Sequence, residues 1–110
     1  MGYILHGGRE YEFEDRTLAH LKTVIGMKLA KREGFFLSWA VDASRGSGRH
    51  EVWISEHSPI AFRFSGGKTP QLNPAWIKAL MAISYTPRGL VALQENDATK
   101  WAQRNPLLAA

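Results

Sequence analysis

The sequence predicts an α+β domain, a mostly antiparallel sheet of five to six strands with two helices packed on one face. Three observations predict it. Short runs alternate apolar and polar residues, two longer stretches carry apolar residues at helical spacing, and Gly, Pro and Asn mark the joints between them. With 110 residues, 45% of them hydrophobic and 22% charged, the chain suits one packed body. Two cores would each be too small to offset the conformational entropy lost on folding.

Gly2-Tyr3-Ile4-Leu5 and Tyr11-Glu12-Phe13-Glu14 read as strands joined at His6-Gly7-Gly8-Arg9, since paired glycines supply the positive φ angles of a tight hairpin. Asp15 is then expected to cap a helix over 16–32. Leu18, Leu21, Ile25 and Leu29 form its apolar stripe, Gly34 is placed to end it, and Arg16, Lys22, Lys28 and Lys31 scatter around the remainder without making a basic face. In the next strand Phe35, Leu37, Trp39 and Val41 share one side. Strands over 51–55 and 60–64 flank a turn at Ser58-Pro59, so a three-stranded meander is expected. Asn73-Pro74 opens a second helix over 74–85, with Trp76, Ile77, Leu80 and Met81 facing inward and Pro87 and Gly89 stopping it. Leu90-Val91-Ala92-Leu93 reads as a last strand. A single domain over 1–95 then leaves 96–110 as a C-terminal tail, with a short helix around Trp101.

Composition narrows the function classes. The absence of cysteine excludes disulfides, thiol catalysis and thiolate metal sites, and a reducing, cytoplasmic setting is expected. Residues 1–5 are too short for a signal peptide, and no run approaches the roughly 18 apolar residues of a membrane span, so no membrane partner is expected. The net charge of +4 favours polyanions without demanding them. Glu10, Glu12 and Glu14 make the start acidic, whereas basic residues dominate over 16–49.

Between two apolar segments lies Ser44-Arg45-Gly46-Ser47-Gly48-Arg49-His50, a glycine-rich cationic loop. Its plain reading is a hairpin tip. Its functional reading is an anion or nucleic-acid site in which backbone near Gly46 and Gly48 receives a phosphate oxygen, Arg45 and Arg49 supply forked contacts, and Arg63, Lys68 and Arg88 assist. Gly66-Gly67-Lys68-Thr69 resembles the end of a phosphate-binding P-loop, but Phe62 stands where that motif requires glycine, and Pro70 prevents a helix from starting at the lysine. His50-Glu51 and Glu56-His57 look like a metal or acid–base cluster, yet His50 and Glu56 are roughly 20 Å apart along an extended strand. They are read as polar strand ends, and isolated His6 and His20 as hairpin and surface residues. No metal, cofactor or catalytic residue is therefore expected. Trp39, Phe62 and Phe64 are assigned to the core, and Trp53, on the opposite parity from Val52 and Ile54, is set aside as a contact residue together with Trp101.

Glu14-Asp15-Arg16-Thr17-Leu18-Ala19-His20-Leu21-Lys22, Phe36 with Trp39, Gly46-Ser47-Gly48-Arg49, Trp53 and Leu72-Asn73-Pro74-Ala75-Trp76-Ile77 running into Leu80-Met81 carry a resemblance. Over about 1–95 the chain resembles a small family of actinobacteria and their phages whose members are often labelled ATP-dependent DNA ligase. The resemblance implies a link to nucleic acid. Ligase chemistry would need a nucleophilic lysine in a Lys-x-Asp-Gly setting, and the nearest stretch, Lys31-Arg32-Glu33-Gly34, reads equally well as a helix end. The expectation is thus a non-catalytic module that contacts nucleic acid or phosphate. The alternative is a protein-interaction module acting on a host protein or on a second copy of itself.

Overall fold

The computed structural model describes residues 1–41, 44, 46 and 48–109, and its class is α+β. β1 (Gly2–His6) and β2 (Arg9–Phe13) form the expected hairpin, in register from Gly2 opposite Phe13 to His6 opposite Arg9. Gly7 and Gly8 hold φ of 60° and 76°, the two-residue turn whose twist matches its strands.

α1 (Asp15–Ala30) departs from expectation at both ends. Glu14 takes the N-cap position without a side-chain cap, and Asp15 becomes the first helical residue. Its carboxylate is engaged elsewhere, accepting the Gly66 N–H at 2.8 Å and the Ser65 N–H at 3.2 Å. The helix stops at Ala30 with Lys31 as its C-cap, Arg32 turns the chain away at φ 59°, and Gly34 plays no part in the stop. Arg32 N–H donates to Leu29 O and Glu33 N–H to Lys28 O, each at 3.0 Å, which satisfies carbonyls that the last turn would leave unpaired. Gly34 is needed for another reason: a Cβ there would stand 2.6 Å from Cζ2 of Trp53.

The expected single sheet is two three-stranded sheets, ordered β2-β1-β5 and β4-β3-β6. β3 (Phe35–Val41) and β4 (Gly48–Ile54) pair antiparallel, from Phe35 opposite Ile54 to Val41 opposite Gly48. β5 (Ile60–Arg63) then abandons the meander. Ser58 N–H closes a turn on Ser55 O at 3.0 Å, and Pro59, having no N–H, cannot continue a ladder with β4. Ile60 to Arg63 instead pair with His6 to Tyr3 of β1, which lets Ile60 and Phe62 pack on the core. β6 (Leu90–Val91) pairs parallel with β3, Leu37 opposite Leu90, so the second sheet is mixed.

α2 (Pro74–Ser84) begins as its sequence requires: the Asn73 side chain accepts the Ala75 N–H at 3.0 Å and Pro74 occupies the first turn. α3 (Glu95–Arg104) docks on it through buried Ala98 and half-buried Trp101, and α4 (Pro106–Ala109) follows. One core serves both sheets: Ile4 and Phe13 from the first, Leu37 and Ile54 from the second, Leu18, Leu21 and Ile25 from α1, and Leu80 from α2. His20, expected at the surface, is fully buried in α1 with its ring stacked on Trp76 at 4.0 Å between centroids. Trp76 Nε1 donates to Leu93 O at 2.9 Å, so this inner joint has its polar atoms satisfied.

Candidate nucleic-acid interface

The β3–β4 hairpin carries most of the residues that the sequence singled out. At its tip Gly46 and Gly48 hold φ of 81° and 139°, and no heavy atom lies within 4 Å of where a Cβ would stand on either. Such backbone is reached at no steric cost by glycine alone, and it stands clear of the rest of the fold. Arg45 lies outside the described residues. Arg49 begins the outward row of β4, its side chain 65% exposed and 3.8 Å from the Glu51 carboxylate. An exposed pair of this length contributes little and yields readily to a stronger anion.

Residues 49, 51 and 53 share the outward face of β4, opposite Ala40, Ser38 and Phe36 of β3. The row ends in two aromatic rings. Trp53 and Phe36 are each 51% exposed, with centroids 5.2 Å apart in an edge-to-face contact. Gly34 lies under the Trp53 indole and Gly89 beside Phe36, where a Cβ would come within 2.8 Å of Phe36 O. Gly34 thus brings backbone close to the Trp53 ring, and Gly89 brings it close to the Phe36 main chain. Parity predicted the exposure of Trp53. The same parity marks Phe36, opposite to Phe35 and Leu37, which the sequence reading named only for the family resemblance and not as a contact residue.

The remaining candidates are dispersed. Arg63 stands on β5, in the other sheet, 3.3 Å from Glu10 and with its guanidinium 4.6 Å from the Tyr3 ring centroid. Lys68 follows the Ser65–Gly66 peptide whose N–H groups Asp15 already receives. The P-loop look-alike thus does bind an anion, and that anion is the chain's own carboxylate, held below its ordinary pKa chiefly by the Gly66 N–H. Arg88 borders a cleft of about 710 Å³ between β2 and the second sheet. Trp39 stacks on His50 there at 5.3 Å and meets Tyr11 edge-on at 5.1 Å, with Glu14 and Asp97 also at the border. The cleft's charges are of mixed sign, and Arg49, Arg63 and Lys68 do not line it. Trp101 packs against the core from α3.

Two polar networks at the joints between helices escaped sequence reasoning. Lys28 is buried, with Nζ 3.0 Å from Ser84 Oγ, 3.5 Å from Glu33 and 3.9 Å from the Tyr85 ring centroid. Tyr85 donates to Glu33 at 2.6 Å, which holds that carboxyl below its ordinary pKa and raises the phenol above its own. Arg16 and Asn73 both donate to Glu95 Oε2 at 2.7 Å, tying α1, the start of α2 and α3 together, and Arg16 in turn lowers the Glu95 pKa. Each satisfies a charge at a joint between helices. His57 lies 3.6 Å from Glu56, and among the described residues no three His, Asp or Glu side chains gather as metal ligands. Lys31 caps the end of α1.

These features define a small α+β domain whose two short sheets share one core and whose second sheet turns an aromatic, arginine-bearing face outward. Residues 1–95 match the DUF7882 family, a domain of unknown function, and the chain belongs to that family. No curated protein and no solved structure matches it. Among the described residues no helix is long and apolar enough to cross a membrane.

Proposed function

We propose that this DUF7882 domain is a non-catalytic binding module, acting in the cytoplasm, that contacts nucleic acid through the β3–β4 hairpin. One observation carries the reading. The glycine-bearing tip stands clear of the fold, and Arg49 leads from it onto an outward face that ends in two exposed rings. Gly46 and Gly48 supply backbone that a phosphate can approach, and Arg45 and Arg49 supply the charge. Arg63, Lys68 and Arg88 act from other surfaces as general attraction toward a polyanion. The resemblance to proteins labelled as DNA ligases points to the same class of partner, here without the ligase reaction.

Salt provides the test. Binding to a fluorescent oligonucleotide should weaken steeply between about 50 and 200 mM salt, because each phosphate contact releases a condensed counterion. Arg49→Gln should flatten the log–log slope by about one contact. No binding at about 50 mM salt would remove the proposal.

A second reading, protein interaction, has its own support in α4, where Leu107 is 93% exposed and Leu108 58%. A host protein or a second copy would cover such an end. Leu107→Glu should then abolish a dimer or a captured partner that survives nuclease treatment.

A further inference from the structure

We infer that the outward face of β3 and β4 is a stacking platform for single-stranded nucleic acid, with Trp53 and Phe36 each receiving a base. The inference rests on the nucleic-acid reading above and deepens it. Aromatic side chains on the solvent side of a sheet are costly to leave uncovered, and here both rings are left half-exposed while Phe35, Leu37 and Ile54 of the same strands fill the core. They are also held in place. Trp53 lies against Gly34, where a Cβ would stand only 2.6 Å from the indole, and the edge-to-face contact with Phe36 at 5.2 Å fixes the second ring relative to the first. A ring already immobilised loses little entropy when a base stacks on it.

The charges beside the rings favour a nucleic acid over an apolar partner. Arg49 lies on the same face, four residues up β4 and roughly 13 Å from Trp53 along the strand. That is close to the reach of two nucleotides, so a strand whose bases cover the rings brings a phosphate to Arg49. Arg32 stands two residues before Gly34, its guanidinium 82% exposed and 3.6 Å from Glu56. Glu51 lies between Arg49 and Trp53 in the row and repels any phosphate routed directly over it, so the backbone must run to one side of that row. A base in a duplex presents no free face to an exposed ring, whereas a single strand does, and every base has such a face.

The experiment compares one labelled oligonucleotide as single strand and as duplex, against the full chain and its Trp53→Ala, Phe36→Ala and Arg49→Gln variants, with a thermal melt to check each fold. The single strand should bind at least about tenfold more tightly than the duplex. Trp53→Ala should lose roughly tenfold or more for the single strand while leaving the salt slope unchanged, and Phe36→Ala should behave alike. Arg49→Gln should change the slope instead. Salt-sensitive binding indifferent to strandedness and to Trp53→Ala would overturn this inference and leave the nucleic-acid module standing. Absence of any binding at low salt would overturn both. Should Trp53→Ala melt early, Trp53→Phe keeps the test open, since a smaller ring should retain part of the single-strand preference.

Discussion

His20 shows how much one side chain can commit a fold to a range of pH. Its Nε2 accepts the Asn73 N–H at 2.8 Å, and its Nδ1 lies 2.7 Å from Arg16 O. An amide only donates and a carbonyl only accepts, so the neutral ring must carry its proton on Nδ1. A second proton on Nε2 would meet the Asn73 N–H head-on. Burial is the main cause holding this histidine below its ordinary pKa of 6.5, reinforced by the Arg16 guanidinium and opposed by the bond to Arg16 O and by Glu95. The unfolded chain therefore binds a proton that the native chain refuses. Its contribution to stability is complete above pH 6.5 and is lost as pH falls below that value. His20→Gln keeps a donor and an acceptor but does not titrate, so its urea midpoint should fall less than the parent's between about pH 7.5 and 5.5. Equal falls in both proteins would refute this account; His6, His50 and His57 are common to the two and cancel. Asp15, Glu33 and Glu95 all have lowered pKa values, so their contributions are lost at lower pH, below the ordinary carboxyl range. Lys28 offers a second residue-level test. Lys28→Met fills the same space without a buried charge and should keep stability within about 1 kcal/mol, whereas Lys28→Ala should lose about 2–4 kcal/mol by chemical denaturation.

At the scale of elements, the end of α1 separates two roles that the sequence had merged. Arg32 sits in the left-handed region at φ 59°, where its Cβ is unwelcome. Arg32→Gly should raise stability by roughly 0.5–1 kcal/mol, read as a shift in denaturation midpoint at unchanged slope. Gly34→Ala should act in the opposite sense, because its new methyl would meet the Trp53 ring at 2.6 Å. A loss of roughly 1–3 kcal/mol is expected, with a change in Trp53 fluorescence that Arg32→Gly does not produce. The helices were legible in the sequence because their signals are local: a stripe at 3.6 spacing for α1, and Asn73-Pro74 for α2. The partition into two sheets was not, because strand pairing is decided by distant partners. Alternation in Ile60 and Phe62 marks a strand but says nothing of whether β4 or β1 will receive it. Trp53 was legible by parity against Val52 and Ile54. His20 was not, since the stripe counts one buried side of α1, whereas packing against α2 covers a second.

For the molecule as a whole, the joint made by Arg16, Asn73 and Glu95 decides which segments stand or fall together. Glu95 is the last residue of the DUF7882 match and the first of α3, and it receives hydrogen bonds from α1 and from the start of α2. A chain ended at residue 94 would lose that carboxylate together with the packing of Ala98 and Trp101. It should melt well below the full chain and less cooperatively, as followed by circular dichroism. Retention of the parent melting temperature would show that α3 only decorates the fold. The candidate interface belongs to this scale too: its tip and Trp53 could be read along one stretch of sequence, but the pairing with Phe36 and the two flanking glycines emerge only once β3, β4 and β6 lie side by side.

The return of β5 to β1 also sets an order of events as the polypeptide leaves the ribosome. The opening hairpin is complete at residue 13, but a two-stranded ribbon is only marginally stable in water. Its third strand ends at Arg63, so about fifty residues must emerge, with α1 and the second hairpin among them, before the first sheet can close. Synthesis pauses placed ahead of residue 63 would therefore prolong the time during which Ile4 and Phe13 face solvent, and the cover that Leu80 of α2 gives them comes later still.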